Sequence, residues 1–204
     1  MNQLLCFATN NAHKLEEVEA ALSGSGTFVL RTLADIGCTD ELPETTGTIP
    51  GNSRQKAQYV FDHFNVACFA DDTGLEVEAL NGEPGVDSAI YAGEPRDNGR
   101  NRARLLQNLV GQTNRRAQFR SVFTLMEPGP NGEAVEHQFE GIVTGTLLES
   151  ERGEGGFGYD PLFVPDGYDQ TFAEMPLAEK NKISHRARAL AGLVEYLKNK
   201  RANE

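Results

Sequence analysis

Two long stretches, residues 116–126 and 134–148, alternate in the manner of β-strands, and the turn-forming run Pro128-Gly129-Pro130-Asn131-Gly132 joins them. That long hairpin sits in the middle of a chain whose beginning has a different rhythm. Residues 3–8 (Gln-Leu-Leu-Cys-Phe-Ala) read as a buried strand, and Thr9-Asn10-Asn11 is a turn that can cap a helix. Leu15, Val18 and Leu22 then recur at helical spacing, with Gly24 as the stop, and residues 27–33 read as a second strand. Strand and helix early, a hairpin in the middle and a helix last predict an α/β domain with a mixed sheet and flanking helices, not a purely doubly wound one.

Between these landmarks a loop rich in Thr, Gly and Pro runs from about 37 to 51. Asn52 is placed to cap a helix whose Ala57, Val60, Phe61 and Phe64 face the core. Val66 to Ala70 form a short apolar strand that runs into Asp71-Asp72-Thr73-Gly74. Leu75, Val77 and Ala79 alternate up to Asn81-Gly82, a hairpin-type turn. Residues 97–110 predict a helix with Ala103, Leu106 and Leu109 inward. The last helix, about 186–199, has Leu190, Leu193, Val194 and Leu197 on one side. A length of 204 residues suits one domain spanning 1–204, with room for two lobes around a cleft.

A net charge of −11, from 19 Lys+Arg against 30 Asp+Glu, argues against a long polyanion as partner, because phosphate neutralisation carries most nucleic-acid affinity. A small phosphorylated ligand is compatible with it if lysines and a divalent cation are focused in one place. No apolar run approaches the ~20 residues that span a bilayer, and the first residues carry neither the basic segment nor the cleavage site of a signal peptide. Three cysteines at Cys6, Cys38 and Cys68 have no metal-ligand spacing, and Cys6 and Cys68 lie in apolar strand-like runs. They read as buried thiols of a reducing cytosol, which predicts a cytoplasmic protein.

Four segments carry groups suited to chemistry. Thr9-Asn10-Asn11-Ala12-His13-Lys14 lies between a strand and a helix start, where backbone N–H groups and the helix dipole favour an anion. It fits a phosphate cradle, but taken alone it reads more simply as a capped helix with a solvated lysine. Asp71-Asp72-Thr73-Gly74 sets two carboxylates at the end of a buried strand, a costly pairing that a divalent cation would relieve. Neighbouring strand residues point to opposite sides, so one of the two faces any cleft unless the strand has turned. A solvated turn after the strand accounts for them as well. Glu44, Lys56 and Lys180 each fit either a site or the surface. Gly155-Gly156-Phe157-Gly158-Tyr159-Asp160-Pro161 surrounds an aromatic ring with glycines, so a flat ligand could stack there, or the aromatics could pack into a core. Ser184-His185-Arg186 offers donors suited to a carbonyl in the plane of a stacked base. Glu16 and Glu17, and Arg100, Arg102, Arg104, Arg115 and Arg116, read as solvated charges, and His63 and His137 show no partner pattern.

Taken in order, Phe7 to Lys14, Glu44 with Asn52, Lys56-Ala57, Ala70 to Leu75, Gly155 to Pro161 and Ser184-His185-Arg186 resemble the inosine triphosphate pyrophosphatase (Ham1-like, non-canonical purine NTP pyrophosphatase) family, in particular its bacterial XTP/dITP branch. The resemblance spans nearly the whole chain. It implies an elongated α/β fold with two lobes around a nucleotide-binding cleft, a homodimer, and Mg²⁺-dependent hydrolysis of a nucleoside triphosphate to monophosphate and pyrophosphate. By the same resemblance Thr9, Asn10, Asn11, Ala12, His13 and Lys14 hold the triphosphate. Asp72 accepts the proton and binds metal, with Glu44 and Asp71 assisting. Lys56 and Thr73 contact substrate, Phe157, Gly158, Tyr159 and Asp160 form the base pocket, and Lys180, His185 and Arg186 contact the nucleotide, the last two at the purine edge. The chain departs from the family's usual pattern at Asp87 and Ile90, where an aromatic and an arginine are common, and at Gly51, where an acid is common. Two other readings are a nucleotide-binding regulator without turnover, which the adjacent carboxylates disfavour, and a pyrophosphatase for other modified nucleotides.

Overall fold

A computed structural model describes residues 3–22 and 28–202. The expected helix stop at Gly24 and the first residue of the second predicted strand lie outside the described residues. The strands are β1 (Gln3–Phe7), β2 (Phe28–Arg31), β3 (Cys68–Val77), β4 (Pro84–Gly85), β5 (Arg116–Pro128), β6 (Ala134–Leu147) and β7 (Phe163–Pro165). They form one sheet in the order β2-β1-β3-β5-β6-β7, with β4 paired to β3. β1 runs parallel to both β2 and β3, whereas β3–β4 and β6–β7 are antiparallel, so the sheet is mixed as the segment order predicts. The helices are α1 (Ala12–Leu22), α2 (Ile49–Phe64), α3 (Asn98–Asn108), α4 (Leu177–Ile183) and α5 (His185–Ala202). No helix among the described residues is long and apolar enough to cross a membrane.

The chain divides into two compact units, each assembled from discontinuous segments. Unit 1 comprises residues 1–72, 121–141 and 186–204. Its parallel strands are apolar on both faces because helices cover both. Cys6, Ala8, Cys68 and Ala70 pack with Ala57, Val60 and Phe61 of α2. The alternate residues Leu5, Phe7 and Phe69 pack with Val18 of α1 and Ala189, Leu190, Leu193 and Leu197 of α5. Phe7 and Phe69 stack at 4.6 Å. All three cysteines are buried free thiols, and burial pushes the Cys6 thiol up to about 12, so it is inert at neutral pH.

Unit 2 comprises residues 73–120 and 142–185. Its core gathers Leu75 and Val77 of β3, Leu105 of α3 and Leu109 at the C-cap of that helix, Phe119 of β5, and Tyr159, Phe163 and Phe172.

Three local readings change. Asp71-Asp72-Thr73-Gly74 does not end a strand, because β3 runs straight through it from Cys68 to Val77. The cap of α2 is not Asn52 but Thr48, whose hydroxyl accepts from Gly51 N at 3.1 Å, with Pro50 in the first turn where its missing N–H costs nothing. Asn52 is instead buried one turn in, and its side-chain oxygen accepts from Thr46 N and Thr46 Oγ1. Strand β7 and helix α4 are too short to leave a periodic signature.

Candidate functional site

The pleat of β3 sorts its two carboxylates. Phe69 and Asp71 project toward α1 and α5, and Ala70 and Asp72 toward α2, because successive strand residues alternate. The two acids meet different cations of unit 1.

On the α1 side, Lys14 Nζ lies 3.0 Å from Asp71 Oδ1, and Arg186 Nε lies 3.3 Å from Asp71 Oδ2. The same guanidinium pairs through Nη1 with Glu17. Asp71, Glu17 and Arg186 are all buried. Burial works to raise the Asp71 pKa, but Lys14, Arg186 and Lys56 outweigh it and hold the carboxyl well below the usual range. Burial would likewise weaken the Arg186 cation, and Glu17 and Asp71 more than restore it. Lys14 is the soft member of the network: its pKa is lowered, chiefly by burial and secondarily by Lys56 and Arg186, against the pull of Asp71.

The α1 start supports this end. Asn11 Oδ1 accepts from Lys14 N at 3.2 Å and Thr9 Oγ1 accepts from Asn11 N at 3.2 Å, an Asx-type cap that sets the first turn. Asn10 Nδ2 donates to Asp40 O at 3.4 Å. The amides of Ala12 and His13 belong to the first helical turn, whose N–H groups aim out of the helix toward any anion placed there.

On the α2 side, Lys56 Nζ bonds Glu44 Oε1 and sits 3.9 Å from Asp72 Oδ1. The helix brings Lys56 there, and the capped loop fastened by Asn52 brings Glu44. Burial pushes the Asp72 pKa up to about 6, and Lys56 and Lys14 only partly offset it. One ammonium therefore serves two carboxylates, and one of those is held close to protonation. Two carboxylates drawn to one ammonium are hard oxygen donors of the kind a divalent cation takes, and no group of three or more metal-ligating side chains gathers among the described residues. Asp72 and Glu44 are the two that would hold such a cation. Asp71, which the resemblance places at the metal, instead has both oxygens engaged by Lys14 and Arg186.

Unit 2 carries the glycine-rich loop. Asp160 Oδ2 accepts from Phe157 N at 2.9 Å and from Lys180 Nζ at 2.9 Å, with both ionic partners buried. The Lys180 ammonium lies 4.9 Å from the Phe157 ring centroid. Gly156 has φ +69°, and a Cβ there would run into the Asp160 carboxylate, so glycine is required. Tyr159 turns into the core and donates to Ser88 O at 2.9 Å. His185 is buried and stacks on Phe119 at 4.7 Å.

Residues 5–196 match the Ham1 family over almost the whole chain. The chain belongs to the Ham1 family. The dITP/XTP pyrophosphatase of Flavobacterium psychrophilum is 47% identical over 195 residues, covering 96% of this chain and 99% of that one. The dITP/XTP pyrophosphatase of Bacillus subtilis is 42% identical over 193 residues, covering 94% and 95%. Among solved structures, the Staphylococcus aureus Ham1 protein aligns with a TM-score of 0.85 at 34% identity, covering 97% of this chain and all of the other. The nucleoside-triphosphatase/dITP/XTP pyrophosphatase of Mycobacterium abscessus aligns at 0.73 and 39%, covering 94% and 98%. The mixed sheet with flanking helices is thus the Ham1 architecture.

In this Ham1-family chain the expected residues fall into two groups. Lys14, Glu44, Lys56, Asp71, Asp72 and Arg186 gather in unit 1, and Phe157, Gly158, Asp160, Lys180 and His185 in unit 2. Thr73 is the next residue of β3 after Asp72 and is half-buried. Several placements differ from the sequence reading, among them Arg102, read as a solvated charge, whose Nη1 donates to Gly158 O with 18% of the side chain exposed. The Arg186 guanidinium is paired with Glu17 and Asp71, and a purine edge would have to compete with two carboxylates for it. The phenol of Tyr159 is a core group. His13 is exposed, 3.8 Å from Glu16. Glu17 is buried, not solvated, and its partner is Arg186, 169 residues away, a pairing that no local spacing signals.

Proposed function

We propose that the chain hydrolyses non-canonical purine nucleoside triphosphates, ITP, dITP and XTP, to the monophosphate and pyrophosphate, and so clears them from the nucleotide pool. The observation that carries this is the buried Asp72 beside the Lys56–Glu44 pair, in a chain whose relatives bear the name dITP/XTP pyrophosphatase.

Lys14 and the first turn of α1 bind the triphosphate and stabilise the charge that develops on its oxygens. Asp72 orients the attacking water and takes its proton. A carboxylate titrating at about 6 is a stronger base than an ordinary aspartate and is still ionised at neutral pH. Mg²⁺ held by Asp72 and Glu44 would supply charge neutralisation at the phosphate oxygens and a better leaving group. Lys56 holds the Glu44 carboxylate near Asp72. Asp71, itself fixed by Arg186, keeps Lys14 aimed.

The base stacks on Phe157. His185 donates to the carbonyl at position 6 of hypoxanthine or xanthine, where adenine carries an amine that would leave the donor facing a donor. Thr9, Asn10, Asn11, Thr73 and Lys180 complete the nucleotide contacts. On the same family grounds the protein works in the cytoplasm as a homodimer.

A turnover panel tests this. Purified protein is incubated with ITP, dITP, XTP, GTP, ATP and dUTP, with Mg²⁺ and again with chelator, and pyrophosphate and orthophosphate are measured separately. The expected result is metal-dependent pyrophosphate from the first three, with GTP and ATP far slower. Orthophosphate alone would place cleavage at the terminal phosphate and refute the mechanism.

A further inference from the structure

Helix α3 is unusually basic for a chain of net charge −11: Arg100, Arg102 and Arg104 lie within it and no acid does. Their partners differ. Arg100 Nη2 donates to Ala92 O at 3.0 Å, close by in sequence, and Arg104 lies over the Tyr91 ring. Arg102 reaches much farther. Its Nη1 donates to Gly158 O at 2.9 Å, 56 residues away, and its Nε lies 2.8 Å from Glu151 Oε1 in an ion-pair contact rather than an aligned hydrogen bond. Only 18% of the Arg102 side chain is exposed.

The acceptor matters because of where it sits. Gly156 and Gly158 both have left-handed φ values, +69° and +62°, on either side of Phe157. A segment with glycines flanking its aromatic ring has little intrinsic order, and its conformation must come from its attachments. The amide of Phe157 is fixed from within the loop by Asp160. The carbonyl of Gly158, just past the ring, is fixed from outside by Arg102. Charge-assisted bonds of this kind are stronger than neutral ones, and the fork of a guanidinium lets Glu151 steady the group that makes it.

We infer that Arg102 is a positioning residue for nucleobase recognition: through Gly158 O it holds the Phe157 ring in the orientation on which the base stacks. The inference rests on the reading that Phe157 carries the base.

The test uses Arg102→Met, which keeps the stem and removes the guanidinium, with Arg102→Lys and Glu151→Gln beside it. Arg102→Met is expected to raise KM for dITP about tenfold, near the lower end of the scale of one lost charge-assisted bond, with kcat within about twofold. Inhibition by pyrophosphate, which has no base, should not change. Arg102→Lys should recover part of the loss, and Glu151→Gln should give a smaller rise in the same direction. A second readout is available because the chain contains no tryptophan. In a Phe157→Trp background the indole is the sole such fluorophore, and adding Arg102→Met should lower its anisotropy. Unchanged KM and unchanged anisotropy would overturn the inference. So would a rise in KM matched by weaker pyrophosphate inhibition, which marks general damage. Phe157→Ala separates the two levels. If it alters KM for dITP and Arg102→Met does not, only the role of Arg102 falls; if Phe157→Ala has no effect, the base-stacking reading falls and this inference with it.

Discussion

Asp72→Asn should abolish turnover and at the same time make the metal-free protein more stable. A buried aspartate that titrates at about 6 in the folded state, against 3.8 for the ordinary side chain, is a liability wherever it must ionise. Its folded pKa is raised, so the native protein keeps its proton to higher pH than the unfolded chain does. Stability then falls as pH rises from about 4 to about 6 and is level above that window. The gap corresponds to ~3 kcal/mol at pH 8. At pH 5, where most of the native carboxyl is still protonated, roughly half of that cost remains. Asparagine keeps the shape and cannot ionise, and Lys56 retains Glu44 as its partner. The expected gain is about 3 kcal/mol in urea unfolding at pH 8, or roughly 6–12 °C in Tm for a chain of this size, shrinking to about half at pH 5. Added Mg²⁺ should stabilise the wild type and narrow the difference. Unfolding curves of both proteins with and without chelator at the two pH values provide the check. A substitution that destabilises, or a gain that does not depend on pH, would refute the idea that burial of an ionised Asp72 is what the site is built around.

Two other perturbations separate holding from catalysis. Lys14→Met removes one of the two cations on Asp71, and should cost about 2 kcal/mol in urea unfolding by leaving a buried acid under-compensated, and about 10²-fold in turnover. Adding Asp71→Leu should restore much of the stability and none of the activity; recovery of turnover would show that Lys14 serves only as a counter-ion. Gly156→Ala forces a side chain into a left-handed residue and onto Asp160, and should cost about 1–2 kcal/mol while raising KM for dITP, with pyrophosphate inhibition as the control that stays level.

Local order in this chain is written locally. The alternation of β5 and β6, the helical spacing of Leu15, Val18 and Leu22, and the apolar runs around Cys6 and Cys68 each follow from a period that a short window reveals, and the mixed sheet follows from their order. The acids and lysines of the site were also visible, because two adjacent carboxylates in an apolar strand demand compensation. What sequence spacing could not say is which charge compensates which. Asp71 and Asp72 differ by one residue, yet the pleat sends one to Lys14 and Arg186 and the other toward Lys56 and Glu44, so one is held ionised and the other near protonation. The partners of Asp71 lie 57 and 115 residues away, and Gly158 finds Arg102 at a separation of 56. Asn52 looked like a cap because its type favours caps, and lost that place to Thr48 because Pro50 fixes the first turn two residues later. A residue's chemical type belongs to the sequence. Its ionisation, its partner and its burial are set by groups brought together only when the chain has closed on itself, because the energies involved depend on distance and on exclusion of water rather than on position along the chain.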